Sequence, residues 1–209
     1  MGILRIMILS LFLVSAFAEA RPVSWPDGWT IMQRNDFDES RLHVHYSTSA
    51  FHSFGLIAQD SHQTDANYVG LQWNHLLKRR NTRYSQANLY FKAQLGVHDA
   101  LNTETLGATI GIAGDWETRR YFTSYEARYR EADNLNERNF KQAAKIGIAP
   151  YLAEYGNWHT WLMLKVDHIP DAEDELVLTP LVRLFKGNYL FEAGMSDEED
   201  VLFNWIIRY

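Results

Sequence analysis

Several residues in this chain have the types and spacing for chemistry. His43-Val44-His45 puts two imidazoles at i and i+2, so an extended segment carries both on one face. A metal ion can sit on such a pair when a neighbouring strand adds a third ligand. The sequence shows no evident third ligand, so two polar interior histidines are the competing reading. Ser61-His62, His98 and Asp167-His168 supply the residue types of Ser-His-acid or Asp-His hydrolysis. Nothing fixes a common geometry for them, and sequence neighbours on a strand face opposite ways. Gly107, Gly111 and Gly114 lack the Gly-Lys-Ser/Thr of a phosphate loop and read better as relief of crowding within a strand. No cofactor is implied.

The elements that must position these groups are strands. From Ala87 to Val97 every odd position is apolar and every even one is polar, Tyr or Gly, which places Ala87, Leu89, Phe91, Ala93, Leu95 and Val97 on one face. Its length of 11 suits a tilted membrane strand, which needs about 9–11 residues, better than a soluble strand of about 5–6. The pattern returns at Leu106 to Trp116 and Trp158 to His168, with weaker copies at Leu42 to Thr48, Val69 to Leu77, Tyr121 to Glu131 and Ala144 to Tyr151. Alternation alone leaves a soluble sandwich and a membrane barrel both open.

The last nine residues, Val201 to Tyr209, set Val201, Phe203, Trp205, Ile207 and a final Tyr209 on one apolar face. This resembles the C-terminal membrane-insertion signal of bacterial outer-membrane β-barrel proteins. The other end has the parts of a secretory signal peptide: Arg5, an apolar run from Ile6 to Phe17, and Ala18-Glu19-Ala20 as the small-x-small cleavage site. The mature chain is expected to start at Arg21, with 1–20 a signal peptide and 21–209 one barrel domain. The apolar run is too short for a helical span, which takes about 20 residues. There is no cysteine, which excludes disulfide staples, thiol catalysis and a lipid anchor through an N-terminal Cys. A net charge of −6 argues against nucleic acid as a partner.

The expected fold is all-β: an antiparallel up-and-down transmembrane β-barrel of about 12 strands, with 10 as the smaller even count. Its strands run near 29–34, 41–48, 51–59, 66–77, 84–97, 105–117, 121–131, 141–151, 158–168, 175–185, 188–195 and 201–209. An even count puts both ends in the periplasm. The connections then assigned outside (35–40, 60–65, 98–104, 131–138, 171–175, 197–200) hold 18 of the 26 acidic residues. Those assigned inside (47–50, 78–83, 117–120, 153–157, 186–188) carry seven Lys or Arg against two Glu. Tyr46, Phe51, Trp116, Tyr121, Tyr151, Trp158, Tyr189 and Tyr209 flank the inner turns as half of an aromatic girdle.

The polar faces give a lumen lined by Lys92, Asp115, Glu126, Arg128, Lys145, Lys165, Asp167, Arg183, Glu192 and Arg208. These charges either pair and hold the barrel closed or line a narrow hydrophilic pore. The acidic loops are expected to form a solvated outer rim that can attract divalent cations. The stretches SWPDGWT, LHVHYS, DWETRRYF, HTWLMLKVDH and DVLFNWIIRY resemble small exported proteins associated with bacterial heavy-metal resistance loci. That resemblance implies no established activity and carries no catalytic residue across; it adds only slight weight to a role for metal cations. The expected protein is a porin-like, non-enzymatic Gram-negative outer-membrane barrel, structural or a narrow channel for small solutes or cations. Its expected partners are outer-membrane lipid, lipopolysaccharide and the barrel-assembly machinery. The alternatives are a barrel enzyme acting on envelope lipid or peptide, and a soluble periplasmic ligand-binding barrel.

Overall fold

A computed structural model describes residues 21–62, 66–100, 103–132, 140–154, 156–170 and 176–209. The expected signal peptide at 1–20 lies outside the described residues, as do 63–65, 101–102, 133–138 and 171–175 of four acidic connections. Twelve strands follow in order: β1 (Trp29–Asn35), β2 (Glu39–Ser47), β3 (His52–Ser61), β4 (Ala66–Asn81), β5 (Ser85–Ala100), β6 (Thr103–Thr118), β7 (Tyr121–Ala132), β8 (Phe140–Ile148), β9 (His159–His168), β10 (Leu176–Lys186), β11 (Tyr189–Met195) and β12 (Val201–Arg208). Each pairs antiparallel with its sequence neighbours, and β1 pairs with β12 to close the ring. Just past that seam Trp29 and Tyr209 exchange reciprocal backbone hydrogen bonds of 3.0 and 2.9 Å.

The alternation read from the sequence decides which face meets which solvent. Along β10, Leu176, Leu178, Val182 and Leu184 are exposed, while Val177, Thr179, Leu181 and Arg183 between them are buried. On β4, Val69 and Leu71 are 61% and 65% exposed, whereas Tyr68, Gln72 and Asn74 face inward and are buried. A continuous outward apolar band around a closed ring is the pattern of a protein dissolved in hydrocarbon. In water such a patch would drive association. Closure gives every strand a neighbour on both sides, as a bilayer requires. No described helix is long and apolar enough to cross a membrane.

One end of the barrel carries the short turns 48–51, 82–84, 119–120 and 187–188, with the 149–158 connection and the ends of β1 and β12; it is the turn end. The other, the loop end, carries the acidic connections. Trp29, Phe51, Trp116, Tyr121, Tyr151, Trp158, Tyr189 and Tyr209 stand exposed around the turn end, and Trp29 packs on Tyr46 at 5.2 Å. In the 187–188 turn only Gly187 takes positive φ, at 58°.

Three expectations need correction. Lys78 to Asn81 are not turn residues: β4 and β5 stay paired beyond a bulge at Leu76/Lys78, so these basic residues belong to a long hairpin that turns at 82–84. Strand pairing continues wherever backbone groups can partner, and the apolar band does not set its limit. β8 stops at Ile148, short of residue 151. The inner face is also not wholly polar. Phe122, Met163, Leu181 and Leu202 form one buried cluster with Trp161 against it, and Met32, Leu190 and Ile206 form another.

Candidate functional site

The lumen is organised by the β1–β2 hairpin, which leans across it at the loop end. In a ring of twelve, β1 stands opposite β7 and β2 opposite β8. Asp36, Phe37 and Asp38 form the tight turn between β1 and β2, closed by Asp36 N–H donating to the Glu39 carbonyl at 3.1 Å. Phe37 packs with Ile169 and Val177 at the ends of β9 and β10. Asp36 accepts from Lys165 Nζ on β9 at 2.9 Å, Asp38 is paired with Lys141 on β8, and Glu39 with Arg128 on β7. Deeper in, Arg34 on β1 reaches Glu126 on β7 at 3.4 Å.

These contacts correct the expectation of an entirely solvated acidic rim. Asp38 and Glu39 are buried at 3% and 2% exposure, because the turn tips them into a lumen rich in cations. A carboxylate taken from water into such a site needs partners, and here each has one. Burial alone would push the Asp36 carboxyl up, but the cations Lys165, Arg41 and Arg128 outweigh it and hold that carboxyl below the ordinary carboxylate range.

The remaining charges form shared pairs. Glu126 lies 2.8 Å from Lys92 as well as facing Arg34. Glu39 also lies 2.7 Å from Arg41. Glu192 accepts from Lys145 at 3.0 Å, Arg183 at 2.7 Å and Asn204 at 2.8 Å. Each of these three carboxylates therefore sits between at least two cations. Lys165 reverses the pattern, bridging Asp36 and Asp167 at 2.9 Å each, and Asp115 accepts from Asn88 at 2.6 Å. Arg130 has no carboxylate among its described contacts: it donates to Gln59 at 2.6 Å and Thr109 at 3.0 Å and lies over the Tyr68 ring. Space remains around this network, in one cavity of about 120 Å³ reaching from Pro22 to Asp38 and a smaller one of about 20 Å³ beside His43 and Gln94.

The structure places the sequence candidates as follows. Lys92, Asp115, Glu126, Arg128, Lys145, Lys165, Asp167 and Arg183 all line the larger cavity, Glu192 joins through Lys145 and Arg183, and Arg208 is buried on β12. Phe203, Trp205, Ile207 and Tyr209 lie on the outward side of the closing seam. His43 and His45 are both buried on the inner face, and His43 Nδ1 is 2.6 Å from Gln72 Oε1. Among the described residues no group of three His, Cys, Asp or Glu is arranged to hold a metal ion, so this pair is not assigned one. The hydrolytic candidates separate: His98 is buried, His168 bonds outward to Gln142 at 2.7 Å, and Asp167 faces the lumen. Ser40 Oγ and His62 Nε2 are 2.9 Å apart on the rim, with no carboxylate orienting that histidine among the described residues.

Sequence reasoning missed Arg34, Arg41, Arg130, Lys141 and the acids of the first turn as lumen groups. Arg41 shares the face of His43, and Arg130 that of Arg128, so strand parity could have found both. Nothing in the sequence signals that the first turn folds inward.

No protein-family model and no curated protein matches the chain. Among solved structures, the fold is similar to the KdgM porin, with a TM-score of 0.50 at 8% identity, covering 87% of this chain and 98% of that one. A second structure, the KdgM porin in complex with disordered oligogalacturonate, matches at a TM-score of 0.50 and 9% identity over the same shares. The chain thus has the fold of an outer-membrane β-barrel.

Proposed function

We propose that this protein is a narrow, non-enzymatic channel for small solutes in the outer membrane of a Gram-negative bacterium, and that its lumen favours anions. The observation that carries the reading is the sharing of Glu39, Glu126 and Glu192 between two or more cations each, which leaves positive charge uncompensated around the larger lumen cavity. Low-dielectric walls focus that charge on whatever enters. The sequence had pointed to acidic loops and to cations; the inward-facing groups weigh the other way. Export through a signal peptide cleaved after Ala20, insertion by the barrel-assembly machinery using the Phe203 to Tyr209 face, and contact with lipid and lipopolysaccharide complete the proposal. The turn end would then face the periplasm, with its basic hairpin of Lys78, Arg79 and Arg80. Divalent cations would be confined to the acidic groups that stay on the rim, such as Asp197 to Asp200.

Reversal potentials across planar bilayers under a salt gradient test this reading. Chloride should be favoured over potassium, and the preference should fall when Arg130 and Lys145 are replaced by Gln and Met. Oligogalacturonate, which the KdgM porin binds, is a suitable larger trial anion because it carries carboxylates. Cation preference, or no current from protein that migrates as a folded barrel, would overturn the proposal. Recovery as a soluble periplasmic protein would sink the membrane assignment itself.

A further inference from the structure

We infer that the turn end of the lumen is a peptide-binding socket, and that the chain's own Arg21-Pro22-Val23-Ser24 occupies it as a displaceable plug. The inference rests on the channel reading and adds a gate to it.

The socket is built for these residues. Val23 is 1% exposed and is buried with Leu76, Tyr90 and Ala113, inward-facing groups of β4, β5 and β6 that form an apolar patch in a largely charged lumen. Arg21 is paired with Glu117 near the end of β6. Ser53 Oγ donates to the Pro22 carbonyl at 2.6 Å, and Ser24 N–H donates to Ser47 Oγ at 2.9 Å. Pro22 lines both lumen cavities, so this segment forms their floor.

The grip is small and the tether is firm. Two buried apolar side chains, Pro22 and Val23, with one ion pair and two hydrogen bonds among the described contacts, hold residues 21–24, and none of the four pairs in a strand. Immediately after them the chain is fixed: Asp27 N–H donates to the Ser47 carbonyl at 2.8 Å, Ser47 N–H returns to the Gly28 carbonyl at 2.9 Å, and Tyr46 Oη donates to Asp27 at 2.6 Å. A short segment on such an anchor faces its socket at an effective concentration in the millimolar range, enough for a weak site to stay mostly filled while still exchanging. Current through the barrel then follows the fraction of time the plug is out.

Two variants and one peptide test this in planar bilayers. Arg21→Glu with Val23→Asp sets like charge against Glu117 and puts a carboxylate in the apolar patch; it should raise mean current several-fold. The tetrapeptide Arg-Pro-Val-Ser, added on the turn-end side, should reduce that current at about millimolar concentration. Val23→Cys with Ala113→Cys, in a chain with no other cysteine, should lock the plug when oxidised and release it on reduction. If the undocked variant fails to fold, the reversible lock still decides the matter. Equal current from native, undocked and locked barrels overturns the plug and leaves the channel standing. No current from any folded form overturns both.

Discussion

Lys165 Nζ lies 2.9 Å from the Asp36 carboxylate, which the β1–β2 turn carries to β9 at the loop end. With Asp38–Lys141 and Glu39–Arg128 beside it, this contact seams one wall of the barrel to the far one. The seam, more than the strand number, sets how much of the lumen is free.

Replacing Asp36 with Asn should loosen the seam and increase single-channel current at neutral pH. In the native protein the sign of the pH effect follows from the depressed Asp36 carboxyl. Its contribution is complete above the unfolded value of about 3.9 and fades as pH falls further toward the folded value. Current should therefore stay flat from pH 7 to about 5 and rise only in stronger acid. A rise between pH 7 and 5 would assign the gating to some other group.

Glu192→Gln should be among the most damaging single changes in the lumen. It leaves Lys145 and Arg183 facing each other with their shared counter-charge removed. Stranding buried charge in this way costs about 3–5 kcal/mol. Urea unfolding in lipid vesicles measures it, and a loss under about 1 kcal/mol would mean that water reaches these cations freely.

Gly55→Ala should reduce the folded fraction seen by heat-modifiable gel migration. A Cβ at Gly55 would meet the Val44 carbonyl oxygen at 2.1 Å and His45 Cα at 2.5 Å, both backbone atoms of β2 that cannot swing aside. Overpacking typically costs about 1–3 kcal/mol, and a backbone clash belongs at the upper end. Unchanged folding would show that β2 and β3 can separate locally without cost to the ring.

Leu71→Arg tests the solvent of the outer face. Leu71 pairs with Leu56 and Leu95 at the middle of the exposed band. Arg at the bilayer midplane of a barrel costs about 2–4 kcal/mol. A substitution neutral in vesicle unfolding would mean that this face does not meet hydrocarbon.

The strand count, the antiparallel order and the outward face were all readable, because an apolar residue at every second position fixes both strand and face. Leu89, Leu95 and Val97 announced theirs directly. What could not be read were relationships across the lumen. Periodicity says that Glu126 points inward, but not that Arg34 meets it from the opposite wall. Arg21 to Ser24 carry no alternation that would place them inside the barrel. The turn Asp36-Phe37-Asp38 looked like a solvated loop because its three acids, counting Glu39, are the usual dress of one. Their partners lie 89 to 129 residues away in sequence. Charge pairing at that distance leaves no local pattern.

The reciprocal hydrogen bonds between Trp29 and Tyr209 bear on how the molecule comes to exist. Eleven of the twelve strand pairings join neighbours along the chain and can form as hairpins; only the β1–β12 pairing spans the whole domain. Assembly therefore has one slow, long-range event. A sheet lacking that one pairing would present two unpaired edges, the two places at which a chaperone would have to shield it.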